Sequence, residues 1–191
     1  MGCESGIAKV IASTCANAGI GGIEVKVWIL NRTDIETVTY DGTYPSKVTA
    51  MTMKSTKRAW TLTGFKKNLV AGDDLVVSET MPDKYSHYFN FKQFETLAAD
   101  IENIVALNDA VVIYESKDKT TTGDGVFRIL GLQNGLYKST ATMRTNADNG
   151  TRNIELTSLE GEAEEYPYYT FHDTNYADTL AAIEALETPA V

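Results

Sequence analysis

The sequence predicts a mainly β protein with one or two α-helices, in which two antiparallel sheets pack together as a sandwich or barrel and a helix flanks them. One strong strand signal is the alternation of apolar and polar residues at 23–30. A second signal is the pair of dipeptides Asn134-Gly135 and Asn149-Gly150, which favour the positive φ of tight hairpin turns. The regular alternation of strands and helices that produces a parallel sheet is absent.

The chain length and composition are those of one globular domain. At 191 residues, 43% hydrophobic and 23% charged, the chain fits a single core of ordinary size. Residues 1–22 are rich in Gly, Ala and Ser, and we expect them to form an extended arm. Residues 23–191 are predicted to form one β-rich domain.

Strands are predicted throughout the first half of this domain. The segment at 23–30 would place Ile23, Val25, Val27 and Ile29 on one face. The polar, Thr-rich stretch at 41–57 is predicted to form a long hairpin that projects from the body. Further strands are expected at 35–40, 47–53, 59–65 and 73–80.

A helix is predicted next, with Asn90 as its N-cap. Gln93 stands three residues after the cap, as in a capping box, and Phe89 precedes it where a hydrophobic staple to Phe94 would form. We expect one apolar face of this helix to be buried against a sheet. The residues of that face are Phe91, Phe94, Leu97, Ala98, Ile101, Ile104 and Val105.

The last third is predicted to contain a three-stranded antiparallel meander. Its strands are expected at 126–132, 136–143 and 151–159, after another strand at 110–114. A short second helix is predicted at 176–186, because Asn175 can cap it and Pro189 follows its end.

The charge balance argues against nucleic-acid binding. Seventeen Lys and Arg stand against 26 Asp and Glu, a formal net charge of -9. Proteins that bind DNA neutralise its phosphates with Lys and Arg, so an acidic chain would repel it. The sequence also contains no stretch near the roughly 20 consecutive apolar residues of a membrane span, so no membrane partner is expected.

Residue types that support catalysis are sparse. His87 and His172 are the only histidines, and neither has a Cys or second His at metal-ligand spacing. The chain has no nucleophile elbow, and its Gly-rich stretches at 19–22 and 123–125 match no phosphate-binding loop. We therefore predict a protein that is not an enzyme and uses no metal or other cofactor, with both histidines in surface or hydrogen-bonded structural roles.

Two clusters in the C-terminal third have alternative interpretations. The glutamates at 160–165 are interpreted as a solvated face, because calcium and glycosidase sites need ligands that converge from a wider arrangement. The aromatic residues at 166–176 are typical of packing or subunit contact, with sugar stacking as the alternative.

The order of elements and two sequence stretches resemble the tail tube proteins of siphovirus-like phages. The first stretch runs from Cys15 through Gly21, Gly22 and Ile23 into the first strand. The second, at 130–136, reads Leu-Gly-Leu-Gln-Asn-Gly-Leu. Both are similar to patterns in tail proteins of phages that infect Bacteroidetes, and together they span under about thirty residues.

This resemblance implies a structural virion protein that folds in the host cytoplasm and assembles into the virion tail. Its subunits would form rings, as homohexamers, that stack into a tube. Tail tape measure and terminator proteins would be its partners, and DNA would pass through without binding. An acidic lumen would prevent phosphates from adhering, and the lumen candidates are Glu24 and Glu155.

Unpaired edge strands favour assembly independently of the resemblance, because exposed amides and carbonyls can pair with another chain. The arm and the stretch at 41–57 are the expected connectors. The candidate interface residues are Gly21, Gly22, Tyr44, Lys47, Tyr168 and Tyr169.

Alternative functions are a carbohydrate- or receptor-binding β module that uses the segment at 166–176, or a capsid decoration protein. A hydrolase with an atypical site around His87 or His172 is a third possibility.

Overall fold

The computed structural model describes residues 21–64, 68–93, 97–120, 122–144 and 150–189. The predicted arm therefore lies outside the described residues except at its last two glycines. The two described helices are α1 (Ala98–Ala106) and α2 (Tyr176–Ala185). The described strands are β1 (Ile23–Asn31), β2 (Ile35–Tyr40), β3 (Lys47–Met53), β4 (Trp60–Thr63), β5 (Leu69–Val76), β6 (Lys84–Gln93), β7 (Ala110–Ser116), β8 (Phe127–Leu130), β9 (Tyr137–Thr142), β10 (Arg152–Thr157) and β11 (Tyr169–Phe171).

These strands form two sheets, and the predicted fold class is confirmed. The larger sheet has seven strands in the order β2-β3-β11-β8-β7-β1-β4. The smaller sheet has four strands in the order β5-β6-β10-β9. All pairings are antiparallel except that of β11 with β3. The chain is thus mainly β, with two packed sheets and two helices.

The larger sheet is the middle layer. On one face, Trp28 and Ile113 pack in a buried cluster with Ile183 of α2. On the other face, Val27 and Val112 pack in a second cluster with residues of the smaller sheet such as Phe89. Because apolar side chains cover both faces, the first five residues of β7 are all buried apolar or aromatic residues and show no polar alternation.

The position of β1 in this middle layer corrects the predicted face. Val27, Trp28 and Leu30 are all buried, so both sides of the strand contribute to the core. Val25 is exposed, and the register with β7 shifts between Ile23 and Val27. The prediction assumed a strand with one solvent-exposed face, whereas other residues of the protein cover both faces of β1 at Val27, Trp28 and Leu30.

The predicted projecting hairpin at 41–57 is wrong. Residues 41–46 form the turn between β2 and β3, where Asp41 Oδ1 accepts the backbone N–H of Thr43 and of Tyr44, and residues 54–57 follow β3 as a second turn. β3 itself lies inside the larger sheet between β2 and β11, with Val48 and Met51 buried. Its threonines suggested a polar projection, but they alternate with these core residues.

The predicted helix at 91–105 begins too early. β6 continues to Gln93, and α1 begins after Leu97, so Asn90 is a strand residue and not an N-cap. Phe89 and Phe91 are buried with period two and stack on each other at 5.7 Å between ring centroids. The predicted staple partner, residue 94, lies outside the described residues. Phe91 fits the helical period as well as the strand period, so the sequence pattern predicted a helix where the chain forms the end of β6.

The predicted meander is wrong in its first pairing only, since its second and third strands do pair antiparallel. β8 belongs to the larger sheet, whereas β9 and β10 pair in the smaller sheet. Asn134-Gly135 therefore connects the two sheets, although Gly135 does have the expected positive φ of 79°. The early strand predicted at 73–80 lies at 69–76 instead. The second helix is confirmed, and Asn175 accepts hydrogen bonds from the Ala177 and Asp178 amides as its cap.

Candidate functional site

The margins of the two sheets are the first candidate site. Within the described residues, the outermost strands are β2 and β4 in the larger sheet and β5 and β9 in the smaller sheet. An outermost strand presents backbone N–H and C=O groups along one side, and these groups can pair with a strand of another chain. The structure thus contains the kind of surface from which assembly was predicted.

The margin at β5 is the longest of these and is rich in exposed apolar side chains. β5 has eight residues, against four in β4 and six in β2 and β9. Leu75 and Val76 at its end are exposed, and Val77 just beyond it is 72% exposed. Surface groups of apolar residues in a folded monomer often mark a contact with another protein. Leu75 and Val76 project to opposite faces of the sheet, because successive strand residues alternate.

Asp73 and Asp74 interrupt β5 with charge. Asp73 lies opposite His87 in the strand register and is half-buried. Burial, followed by the charge of Asp74, raises the pKa of the Asp73 carboxyl. Acidic groups on an edge strand limit unselective pairing, so this margin would favour a specific partner over aggregation.

The opposite margin of the smaller sheet combines β9 with α1. Lys138 of β9 donates from Nζ to the Ile104 carbonyl at 2.6 Å, which fixes the last turn of α1 against the strand. Ile104 packs against the inner cluster, but Leu97, Ile101 and Val105 are exposed. The expected burial of this helical stripe is therefore wrong for these three residues. We call Leu97, Ile101 and Val105 the α1 stripe.

Four of the predicted interface residues lie at two separate places. Gly21 and Gly22 precede β1 and are exposed, and the Gly22 carbonyl accepts the Lys117 N–H at 3.1 Å. Tyr44 is exposed in the turn between β2 and β3, and Lys47 forms a 3.1 Å ion pair with Asp124. The structure does not join these residues into one surface.

Tyr168 and Tyr169 correct the interpretation of the aromatic segment. Tyr169 is fully buried in the core, so its assignment to an assembly interface is wrong. Tyr168 is half-buried, and the Arg128 guanidinium lies 4.5 Å from its ring centroid. Tyr166 packs edge-to-face on Tyr169, and Phe171 is buried. The segment is mainly a core strand with its flanks, consistent with the packing interpretation.

The two lumen candidates lie on different layers. Glu155 is flanked by buried Ile154 and Leu156, so its side chain points away from the core on the outer face of the smaller sheet. Glu24 belongs to the larger sheet and pairs at 3.7 Å with Lys119, near the N-terminus of α2. The structure does not bring Glu24 and Glu155 together. A single bore would therefore be lined either by the face that carries Glu155 or by the side that carries Glu24.

The outer face of the smaller sheet is polar but mixed in charge. By the alternation of β5, β6 and β10, Asp74 and Glu155 share this face with Lys84 and Lys92. A shallow cleft of about 200 Å³ lies on it, and Asn90 and Glu155 are among its lining residues.

A buried polar network at the junction of the sheets was not predicted. His87 is fully buried, and its Nδ1 accepts the Gly131 N–H at 3.0 Å while Nε2 lies 2.9 Å from the Tyr166 carbonyl. Nε2 therefore carries the proton and the ring is neutral. Burial lowers the pKa of His87, mainly because a charged ring would lose its hydration.

Glu164 belongs to the same junction, which corrects the interpretation of 160–165 as wholly solvated. Its side chain is fully buried, and Oε1 accepts the Asn134 N–H at 2.9 Å while Oε2 accepts the Gln133 N–H at 3.2 Å. Burial raises the pKa of this carboxyl, and the two N–H donors act in the opposite direction. Glu164 therefore holds the inter-sheet turn, a role that no local sequence signal indicates.

A second cleft, of about 470 Å³, lies between the start of α2 and the loop after β7. Thr122 and Tyr176 line it, and the Tyr176 hydroxyl donates to Glu115 at 2.6 Å, which raises the pKa of that phenol to about 12. The nearby His172 is buried, with Nε2 3.3 Å from the Thr122 carbonyl.

Over the described residues, no three His, Cys, Asp or Glu side chains come together as metal ligands would. None of the helices in the same part of the chain is long and apolar enough to cross a membrane. Comparison of the chain with known protein families, with characterised proteins and with solved structures finds no match to it.

Proposed function

We propose that this chain is the structural subunit of a phage tail tube, without enzymatic activity, and that copies of it form rings that stack into a tube. The resemblance of the sequence suggests this function. The observation that supports it best is that β5 and β9 are both open margins of the same four-stranded sheet, within the described residues.

Two open margins on opposite sides of one sheet permit a ring. If β5 of one subunit pairs with β9 of the next, each subunit makes one contact of each kind, which is the heterologous arrangement that closes into cyclic oligomers. Pairing would satisfy the outward backbone groups of both strands. A hexamer is the ring size that the resemblance implies.

DNA would pass through the ring as unbound cargo. The net charge of -9 favours this, since attraction between the bore and the phosphates would retard passage. Glu155 is the lumen candidate if the outer face of the smaller sheet lines the bore, and Glu24 is the candidate if the α2 side does so. Tail tape measure and terminator proteins would complete the assembly in the virion tail, after folding in the host cytoplasm.

The glycan-binding alternative has lost two of its five aromatic candidates at 166–176. Tyr169 and Phe171 are buried in the core, so they cannot stack on a sugar. A capsid decoration protein would share the open margins but would add to a shell and would not form a tube on its own.

Electron microscopy of the purified protein tests the proposal. At high protein concentration, negative staining should show rings or stacked rings with a central channel. Ala71→Pro, within β5, should reduce ring formation, because proline removes a backbone donor from an edge strand. Particles that remain single subunits under all conditions would contradict the proposal.

A further inference from the structure

Strand β4 leaves part of its backbone open at the margin of the larger sheet. The Gly64 N–H donates to the Val25 carbonyl at 2.7 Å, in the same register that pairs β4 with β1. Backbone groups of alternate residues in an antiparallel strand point to opposite sides, so those of Thr61 and Thr63 point away from β1. Both residues are exposed. Within the described residues, these N–H and C=O groups are therefore open to a strand of another chain.

The end of α2 limits the length of this open row. Ala59 is the preceding residue on the outward side, and its N–H already donates to the Leu186 carbonyl at 2.7 Å. An added strand can therefore pair only with Thr61 and Thr63. Because so short a pairing contributes few hydrogen bonds, side chains beside the row must supply most of the binding free energy.

Trp60 and Arg58 lie beside the open row. Trp60 is 56% exposed, the largest exposed fraction of an aromatic side chain among the described residues. The guanidinium carbon of Arg58 lies 4.0 Å from the centroid of its ring. Trp and Arg are the residue types that most often dominate the binding free energy of protein interfaces. We call Arg58, Trp60, Thr61 and Thr63 the β4 margin.

The charge of the β4 margin is positive and unmatched. Arg58 forms no ion pair with any residue that the structure describes. Three carboxylates near β4 are already paired with lysines, Asp34 with Lys57 and both Glu184 and Glu187 with Lys26. Residues 54–67 contain five Lys and Arg and no Asp or Glu, in a chain whose net charge is -9. An acidic partner would therefore complement this margin.

We infer that the β4 margin docks an extended acidic segment of another protein. The segment adds to the larger sheet through the backbone of Thr61 and Thr63, as in other complexes formed by strand addition. One of its carboxylates meets Arg58, and an apolar side chain covers Trp60. The open N–H and C=O groups favour a peptide over a nucleic acid, which the net charge would repel. In the proposed ring β5 pairs with β9, so β4 remains available to a different protein.

The fluorescence of Trp60 reports the contact directly. The chain has two tryptophans, and Trp28 is only 1% exposed, so acrylamide quenches mainly Trp60. The probe is a short blocked peptide in which valine alternates with glutamate. Its matched controls are the same peptide with lysine in place of glutamate and a thymidine oligonucleotide of similar charge. We expect only the acidic peptide to protect Trp60 from quenching, and added salt to weaken its binding.

Two variants separate the contribution of charge from that of the strand edge. Arg58→Gln should weaken binding of the acidic peptide roughly tenfold. Lys92→Gln removes the same charge from an exposed position of the smaller sheet and should have no effect. Thr61→Pro removes an outward N–H while leaving the bonds between β4 and β1, so it should abolish binding. Thermal unfolding establishes that each variant is folded, and Arg58→Gln decides the test if Thr61→Pro is not.

Several results would overturn the inference. An acidic peptide that does not protect Trp60, or that binds Arg58→Gln as tightly as Lys92→Gln, would exclude the proposed partner. Equal protection by the lysine peptide would show an unselective edge, and protection by the oligonucleotide alone would show a nucleic-acid site. Protection that increases with protein concentration without peptide would assign the margin to a second copy. Ring formation through β5 and β9 is measured separately by microscopy and stays unaffected by these results.

Discussion

The Nδ1 atom of His87 accepts the backbone N–H of Gly131 at 3.0 Å, and this hydrogen bond joins the smaller sheet to the larger one. The ring is fully buried and must stay neutral to accept it. Glu164 holds the adjacent turn through two further backbone amides. The junction between the sheets thus depends on two buried titratable side chains.

His87 gives the fold an acid-sensitive junction. Burial lowers the pKa of His87 in the folded protein below the ordinary value of 6.5. Only the unfolded state takes up a proton as the pH falls below about 6.5, so stability should decrease from there down to the folded pKa. We expect the free energy of unfolding of wild type, relative to His87→Gln, to fall between pH 7 and pH 5 in urea titrations. A constant difference across that range would contradict the assignment.

Glu164 should have the opposite dependence. Burial raises the pKa of Glu164 in the folded protein above the ordinary value of 4.5. As the pH rises from about 4.5, the unfolded state therefore loses this proton first. The free energy of unfolding should decrease until the pH passes the folded pKa. Glu164→Gln retains an oxygen acceptor for the turn without the charge. The free energy of unfolding of Glu164→Gln, relative to wild type, should therefore increase as the pH rises through this range.

Glu164→Ala is the companion variant for the hydrogen bonds themselves. It leaves the Gln133 and Asn134 amides without their acceptor, and we expect a loss of about 1–3 kcal/mol at neutral pH. Chemical denaturation measures both effects. An alanine variant as stable as the glutamine variant would show that the amides find water instead.

Substitution of Gly131 is expected to destabilise the fold for two reasons, its positive φ and the lack of space for a Cβ. Its φ is 71°, and a Cβ there would lie 2.8 Å from the Ala110 carbonyl oxygen. Gly125 has a similar φ of 78° with nothing within 4 Å of its would-be Cβ. Gly125→Ala should cost about 1–2 kcal/mol from the left-handed backbone alone. Gly131→Ala should cost about 1–3 kcal/mol more from overpacking, and equal losses would contradict this placement.

Ile183 is expected to anchor α2 on the larger sheet. It is fully buried in the cluster that contains Trp28 and Ile113, so Ile183→Ala should cost about 2–5 kcal/mol. Glu184, the next residue, forms an exposed ion pair with Lys26, and Glu184→Ala should change stability by under about 0.5 kcal/mol. Thermal unfolding of the two variants distinguishes a docked helix from a loosely held one.

The sequence predicted the fold where local signals decide structure. The Asn175 cap located α2, and β2, β3, β7 and β10 fall within or close to their predicted bounds. The sequence-based prediction failed where contacts between residues distant in the chain decide the structure. Phe91 fitted both a helical and a strand period, and only pairing with β5 and β10 places it in a strand. Asn134-Gly135 has its turn conformation, but no local signal shows that the turn crosses between sheets.

The candidate site was predictable to a lesser degree. Open strand edges follow from an antiparallel fold, but which strands are outermost depends on the full pairing order. Tyr169 and Tyr168 are adjacent and of the same type, yet one is core and the other half-exposed. The burial of Glu164 was equally hidden, because its two partner amides lie about thirty residues earlier in the chain.

Amide hydrogen exchange across a concentration series tests most directly whether copies complete one another's sheets. Peptides that cover β5 and β9 should exchange rapidly in dilute, monomeric protein and become protected when rings form, while peptides from the interior strand β7 stay protected throughout. Rings that assemble without added protection at β5 or β9, or protein that never departs from the dilute pattern, would contradict the account.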